Sequence, residues 1–437
     1  MGEKVLVTGA TGYIASRLIP RLLEAGYSVR CMTRKPNTLT GREWYPKVEV
    51  CVGDVTQPET LPPVMKDIHS AYYLIHNMSM GRGYHRLEIE SARNFSFAAR
   101  EAGIQHIIYL GGLINPKDPG MATHLISRIN SGNALRESGI PVTEFRAGVI
   151  IGAGSVSFEM IRFLVEQFPI LLGPIRLKQH SQPIAIKNVL EYLVAGLNNT
   201  AVREKIIDIG SHEIFTYIEI MKQYAQLRNL KRPSLLVPLI PEWLMATTID
   251  HLTPVDHLYA RALVGSLQKD STVFDPCALE LFPDISVMNI KEAINQALLD
   301  TRPELMERIW LDRDQDVITL KHEGMFVDYR RIQIPASTGH VFDILLKIIS
   351  SDFKIGKFHS FRVDFQNSYT VRLKVLQKMP GEAWIEWKVT PRLDGTRLEQ
   401  TVFFQPRDLT GFLGWSLFKK NFEHLLKEIQ CRINAQI

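Results

Sequence analysis

The clearest chemical signal lies in eight residues near the start of the chain. Thr8-Gly9-Ala10-Thr11-Gly12-Tyr13-Ile14-Ala15 follows a short apolar run, Val5-Leu6-Val7, and opens a segment of helical period. A glycine at 9 allows a tight turn. A glycine at 12 lets a pyrophosphate approach the backbone. A small residue at 15 lets helix and strand pack closely. The helix start offers unpaired N–H groups and a partial positive charge to an anion. The pattern predicts that Thr8, Gly9, Thr11, Gly12, Tyr13 and Ile14 bind a dinucleotide, a plain turn being the alternative.

The end of the second strand bears on which dinucleotide. An acid there would bond the ribose 2′-hydroxyl of NAD, but this chain has Thr33-Arg34-Lys35. A guanidinium suits a 2′-phosphate through a bidentate, charge-assisted contact. The expected cofactor is therefore NADP, with NADPH preferred over NADH; the alternative is that Arg34 is a solvated surface residue. Asp54, in Gly53-Asp54-Val55, is expected either beside the adenine edge or as a helix cap. His76 and Asn77 end the fourth strand, where the carboxyl edge of a sheet meets its cofactor. A turn role is their alternative.

These residues need a parallel sheet to hold them. Strand-like runs fall at 4–8, 28–33, 48–53, 71–76, 106–111 and 141–145, alternating with helix-period segments. That rhythm predicts right-handed crossovers and a sheet covered on both faces, a Rossmann-type α/β fold. Pro20 inside the first helix should remove a backbone hydrogen bond and kink it. From about 150 to 300 the pattern stays mixed and loses its rhythm. The charged stretch 301–325 reads as a linker. Beyond 326, alternating runs at 369–375, 384–389 and 398–404, with Asp394-Gly395 as a hairpin turn, predict an antiparallel sheet. A helix over 337–349 precedes it and a long amphipathic helix closes the chain, making a separate α+β domain over 326–437.

Composition narrows the function classes. In 437 residues, 51 Lys and Arg stand against 46 Asp and Glu, a net charge of +5 that is no nucleic-acid signature. The four cysteines form no Cys-x-x-Cys pair, and the histidines show no metal-ligand spacing, so no metal is expected. No apolar run reaches the roughly 20 residues of a spanning helix. A cytoplasmic protein without an integral membrane segment is the expectation.

The motifs over 8–15, at Thr33-Arg34 and at Gly53-Asp54-Val55 resemble the atypical short-chain dehydrogenase/reductases of NmrA-like type. So do Tyr109-Leu110-Gly111-Gly112, the run from Phe145 to Gly152, and the run from Gln182 to Val189. The resemblance covers about residues 3–300. The later chain is similar to START-like, helix-grip domains, on Trp384-Ile385-Glu386-Trp387, Leu398-Glu399-Gln400 and the run from Phe403 to Arg407. It implies a Rossmann domain over 1–300 and a helix-grip domain over 326–437. Such a domain would enclose a lipophile within a wall of Trp384, Trp387, Phe403, Phe404, Trp415, Phe418 and Phe422; a solid aromatic core is the alternative.

The wider family uses Ser with Tyr-x-x-x-Lys. Here the Tyr and Lys slots hold His124 and Arg128, and the serine slot holds Gly111-Gly112. The resemblance implies that Arg128 holds the nicotinamide ribose without shuttling protons, and that His124 is the acid, Ser127 being a further hydroxyl nearby. His124 as an ordinary helix residue is the alternative. Three readings follow: an NADPH-dependent reductase of a hydrophobic carbonyl or quinone-like substrate, a non-catalytic NADP(H) sensor or scaffold, and a lipophile carrier. The sequence leaves the oligomeric state open.

Overall fold

The computed structural model describes residues 3–40, 42–75, 84–113, 123–238, 240–252, 264, 265, 267, 269–306, 308–312, 315–350 and 360–436. The chain forms two compact units. One comprises Met1–Val165, Pro169–Thr301 and Glu307–Asp312; the other comprises Glu166–Phe168, Arg302–Met306 and Arg313–Ile437.

The first half of the larger unit runs β1 (Lys4–Val7), α1 (Tyr13–Glu24), β2 (Ser28–Thr33), β3 (Glu49–Val52), α2 (Leu61–Met65), β4 (Ser70–Tyr73), α3 (Tyr84–Glu101), β5 (His106–Gly112), α4 (Thr123–Arg136) and β6 (Val142–Ala147). Then come β7 (Ile150–Ile151), α5 (Val156–Gln167), β8 (Leu171–Pro174), β9 (His180–Ser181), β10 (Ile184–Ala185), α6 (Ile186–Asn198) and β11 (Ile206–Ile209). The unit continues through β12 (Phe215–Thr216), α7 (Tyr217–Leu227), β13 (Ser234–Val237), α8 (Glu242–Leu252), α9 (Ala278–Leu281) and α10 (Ile290–Leu299).

Seven strands form one parallel sheet in the order β11-β6-β5-β4-β1-β2-β3. Strand alternation divides its core. Val5 and Val7 face Leu18, Leu22, Val189 and Leu193 of α1 and α6, whereas Leu6, Ala71 and Tyr109 face Phe95 and Leu135 of α3 and α4. Both faces are covered, which is why these strands read as apolar runs. The Rossmann-type architecture is as expected. The seventh strand, β11, is an addition: its four residues, Ile-Ile-Asp-Ile, are too short to stand out from the irregular region after 150. Helix α1 runs unbroken through Pro20. The helix is held along its length by the buried Ala15, Leu18, Ile19 and Leu22.

The strand pairs β7–β10, β9–β12 and β8–β13 lie beside α5, α7 and α10. Capping boxes at Thr216/Glu219 and Asn289/Glu292 start α7 and α10.

The smaller unit holds β14 (Val317–His322), β15 (Met325–Ile334), α11 (Thr338–Ser350), β16 (Phe361–Gln366), β17 (Thr370–Val375), β18 (Gly381–Arg392), β19 (Gly395–Pro406) and α12 (Leu409–Asn434). Its antiparallel sheet has the order β14-β15-β19-β18-β17-β16. The sheet therefore begins with β14, inside the stretch 301–325 that charge suggested was linker: Ile318 is buried and pairs with Tyr329. The β18–β19 pairing closes at Arg392 and Gly395. Gly395 has φ of +135°, and a side chain there would meet the Ile334 carbonyl at 2.3 Å, so only glycine fits.

The expected aromatic wall is split by strand parity. Trp387 and Phe404 face α11 and α12, but Trp384 and Phe403 lie at the opposite parity and are not part of that core. On the helix side the rings touch each other. Phe404 stacks on Trp415 at 5.5 Å between centroids, and Phe326 stacks on Trp415 at 5.4 Å. Gln400 ties sheet to helix: its Oε1 accepts from Trp387 Nε1 at 3.0 Å and its Nε2 donates to the Phe422 carbonyl at 3.0 Å.

One buried group in the parallel sheet carries a pH signature. His106, at the start of β5, is fully buried against Thr143 Oγ1 at 2.8 Å. Burial, with Arg203 and His69 nearby, pushes its imidazole down to about 4. The unfolded chain, with an ordinary value near 6.5, binds a proton that the folded chain refuses. Stability is thus complete above about pH 6.5 and falls as pH drops toward about 4, by on the order of 3 kcal/mol. The wild-type minus H106Q difference in unfolding free energy should shrink over that interval; an interval-independent difference in urea titrations would show that His106 is not the source.

Candidate functional site

The carboxyl ends of β1 and β4 meet where the strand order reverses, the place where open α/β sheets leave a crevice for ligands. The turn there is held from below. The Thr8 amide and hydroxyl both donate to the Tyr72 carbonyl, at 3.1 and 3.0 Å, and Thr8 Oγ1 accepts from the Leu74 amide at 3.1 Å. Thr8 is fully buried, so its hydroxyl clamps β1 to β4. Gly9 follows with φ of +62°, and a side chain on it would meet the Leu74 carbonyl at 3.0 Å. The Gly12 amide closes the turn on the Gly9 carbonyl at 2.8 Å. Gly12 is exposed and caps α1 without a side-chain hydrogen bond, so the helix start faces outward with backbone alone. Ala15 is buried in the core, as close helix–strand packing requires.

Tyr13 turns toward the loop that follows β7. Its hydroxyl lies where a side chain on Gly152 would be, 2.5 Å from that position. Arg17 sits 4.0 Å over the Tyr13 ring and donates to the Ala153 carbonyl at 3.1 Å. Thr11 and Ile14 are half-buried on the first turn.

Arg34 and Asp54 end neighbouring strands and come together. Arg34 is 63% exposed, and its guanidinium stands 3.9 Å from Asp54 Oδ2. The other carboxylate oxygen, Oδ1, accepts from the Thr56 amide at 2.9 Å and the Thr56 hydroxyl at 2.8 Å. Asp54 thus fastens its own turn and leaves one oxygen toward Arg34. Val55 is buried with Leu61 and Val64. His76 and Asn77 lie outside the described residues.

His124 stands in the first turn of α4, and its side chain lies outside the described residues. Arg128, one turn later, reaches the strand edge: its guanidinium donates to the Leu110 carbonyl at 3.0 Å. Tyr109 donates to the Arg128 carbonyl at 3.0 Å, and burial pushes its phenol up to about 12, so it stays neutral. Ser127 donates to the buried Glu88. The serine slot is occupied by neighbours. A side chain on Gly111 would meet Glu144 Oε1 at 3.0 Å, and one on Gly112 would meet Leu125 Cδ2 at 2.8 Å.

Four residues around this edge were given no role by the sequence. Glu144 is buried and bonded to Arg146 Nε at 2.6 Å and Arg136 at 2.8 Å. Gln182 accepts from the Val273 amide at 2.9 Å and also donates to the Ser211 carbonyl. The run from Gln182 to Val189 is thus a staple: Asn188, in the same run, bonds the Ser286 carbonyl at 2.9 Å and the Met288 amide at 2.9 Å. Ser271 donates to the Leu113 carbonyl, just past β5, at 3.3 Å. No spacing signal links Ser271 to β5, because 158 residues separate the two. Among the described residues no group of three His, Cys, Asp or Glu is placed to hold a metal ion.

Residues 1–167 match the NmrA-like family. Among curated relatives, a 3-beta-hydroxysteroid dehydrogenase of Mycolicibacterium neoaurum is 28% identical over 116 residues, which is 24% of this chain and 31% of that protein. A ceramide reductase of Caulobacter vibrioides is 25% identical over 235 residues, 52% of this chain and 71% of that protein. The chain spans less than half the length of the first curated relatives it matches. Among solved structures, the Citrobacter sp. triphenylmethane reductase complexed with NADP(H) aligns with TM-score 0.54 at 19% identity, over 67% of this chain and 99% of that one. The NADPH-dependent quinone oxidoreductase of Escherichia coli, complexed with NADPH, aligns with TM-score 0.55 at 15% identity, over the same shares. These matches and the seven-stranded parallel sheet give the larger unit a Rossmann-type fold whose first part, residues 1–167, matches the NmrA-like family.

The Glu144 carboxylate sets a test of how rigid this edge is. Gly132 lies within α4, where replacing Gly by Ala ordinarily stabilises by about 0.5–1 kcal/mol. Here the added carbon would sit 2.5 Å from Glu144 Oε2, an atom held by Arg136. G132A should therefore destabilise, by about 1–3 kcal/mol in denaturant unfolding; a stabilised variant would mean that the carboxylate moves freely.

Proposed function

We propose that the protein is an NADPH-dependent reductase of a hydrophobic carbonyl or quinone-like substrate. The observation that carries this reading is the first turn: an open, side-chain-free helix start behind Gly9, with the exposed Arg34 at the end of the adjacent strand. Pyrophosphate fits the backbone N–H groups at the start of α1. A ribose 2′-phosphate fits Arg34, which would exchange its long contact with Asp54 for a charge-assisted pair. Bound nicotinamide would supply the hydride; orienting the ribose and moving the proton would fall to side chains. Arg128, anchored on the Leu110 carbonyl, would orient the ribose and hold its charge throughout, since guanidinium does not titrate in this range. His124 would deliver the proton to the substrate oxygen. The similar solved structures complexed with NADP(H) or NADPH support the cofactor, and the reductases among the relatives support the reaction class. The smaller unit, resembling a START-like helix-grip domain, would bind the lipophile. Nothing in the reading requires an oligomer, and the cytoplasm remains the proposed compartment.

A second reading is favoured by the serine slot. With Glu144 and Leu125 beside Gly111 and Gly112, no hydroxyl of those residues faces a substrate. A non-catalytic NADP(H) sensor or scaffold would need only the binding half of the site. A lipophile carrier without nucleotide is a third reading, against which the preserved first turn stands.

Native mass spectrometry of the purified protein, followed by denaturing extraction, separates these readings: NADP(H) with a lipophile supports the reductase, and a lipophile alone supports the carrier. Substrate-dependent NADPH oxidation then divides reductase from sensor. R34A should weaken NADPH binding by about tenfold or more while leaving NADH binding unchanged, the loss of one charge-assisted contact. An unaltered NADPH/NADH affinity ratio would remove Arg34 from the site. H124A should abolish most turnover with little change in NADPH affinity; full turnover would leave the proton to water.

A further inference from the structure

The strand pair β8–β13 has an unusual outer face. Its inward positions follow the rule for a half-buried ribbon, with Leu171 buried and Leu236 packed beside the same core. Alternation calls for polar residues outside. Instead Leu172 and Leu235, direct partners in the parallel register, are 64% and 56% exposed. Ile170 and Ile175 flank them, also exposed. Six residues after β13, α8 leaves Trp243 66% exposed, with Leu244 exposed beside it, while Met245 and Ile249 pack inward. Exposed apolar side chains collected in this way mark an interaction surface.

The charges near this face point to its partner. The run 169–178 contains Arg176 and Lys178 and no acid, and the run 227–243 contains Arg228, Lys231 and Arg232 against the single acid Glu242. Lys178 and Lys231 are exposed. Exposed Trp, Leu and Ile with five cations in the flanking runs against the one acid, Glu242, are the chemistry of interfacial membrane binding: the apolar groups enter the headgroup boundary and the cations meet anionic lipid. Among the described residues no helix is long and apolar enough to cross a membrane, so this contact would be made from the surface.

We infer that the β8–β13 ribbon and the start of α8 form a docking face for an anionic lipid bilayer. The face lies in the larger unit and stands whatever the reaction catalysed.

Co-flotation of the full chain with vesicles of phosphatidylcholine and phosphatidylglycerol in equal parts tests it, beside vesicles of phosphatidylcholine alone. Binding to the mixed vesicles, lost in 0.5 M salt or on neutral vesicles, is expected. L172S/L235S and W243S should each lose binding. K178A/K231A should weaken it by about 10- to 30-fold, near fivefold per cation. That last variant changes only exposed side chains, so it reports on docking even where the apolar variants fold poorly. No flotation with the mixed vesicles, or flotation unaffected by salt and by K178A/K231A, overturns the proposal. So does sedimentation showing that L172S/L235S converts a dimer to a monomer, because the face would then be covered by a second copy of this chain.

Discussion

The site rests on how β1 is tied to β4 at the point where the sheet reverses. The chain must leave β1, turn within a few residues and start α1, while β4 runs alongside. Thr8 meets that demand by giving its amide and hydroxyl to one carbonyl of β4 and accepting from an amide two residues on. The turn is then forced into the left-handed region at Gly9, where a side chain would strike β4. Both residues are fastened from beneath, which leaves the outer surface of the turn to bare backbone. A helix start presented in this way is the feature on which the proposed dinucleotide binding rests. Arg34 and Asp54 stand beside it because β2 and β3 are the next strands outward from β1.

The carboxyl edge of β5 shows a different use of polar residues. Glu144 is buried between two arginines and fills the room beside Gly111 and Gly132. Removing one partner from such a group costs several kcal/mol, because an uncompensated charge stays inside. Glycines here make room for a neighbouring carboxylate, and a hydroxyl would have to displace it. Arg128 is likewise held, by the Leu110 carbonyl. The edge is therefore preorganised around cations and backbone. In the proposed reading this edge would hold a ribose and leave the proton step to His124 or to solvent. The smaller unit repeats the pattern of polar staples in an apolar setting: Gln400 satisfies both Trp387 and a helix carbonyl, and Arg372 lies buried among Asp364, Glu386 and Glu304.

Much was legible from the residues in order. The first turn, the α/β alternation, the Asp394-Gly395 hairpin and the long final helix are local signals, and local physics writes them: turn geometry, strand parity and helical period. Other features escaped for stated physical reasons. Strand β11 is four residues long and borrows its stability from β6. Strand β14 follows directly on the charged run from Asp312 to Asp316, so composition marks the stretch as linker, and its strand character comes from pairing with β15. Trp384 and Trp387 looked like one wall, but three residues along a strand is an odd step, and odd steps change face.

By itself, then, the sequence determined the first turn, the strand–helix alternation up to about residue 150, the Asp394-Gly395 hairpin and the final helix, and that Gly9, Gly12 and Arg34 fit an anion-binding pattern. Those properties depend on steric freedom, apolar period and fixed charge, all of which a residue carries with it. Only the tertiary structure decided that Asp54 faces Arg34, that Glu144 and Leu125 fill the serine slot, that Ser271 arrives at β5 from a distant loop, and that Leu172 pairs with Leu235 on an open face. These are contacts between segments far apart in the chain. Their geometry comes from sheet order and close packing, which no local pattern encodes.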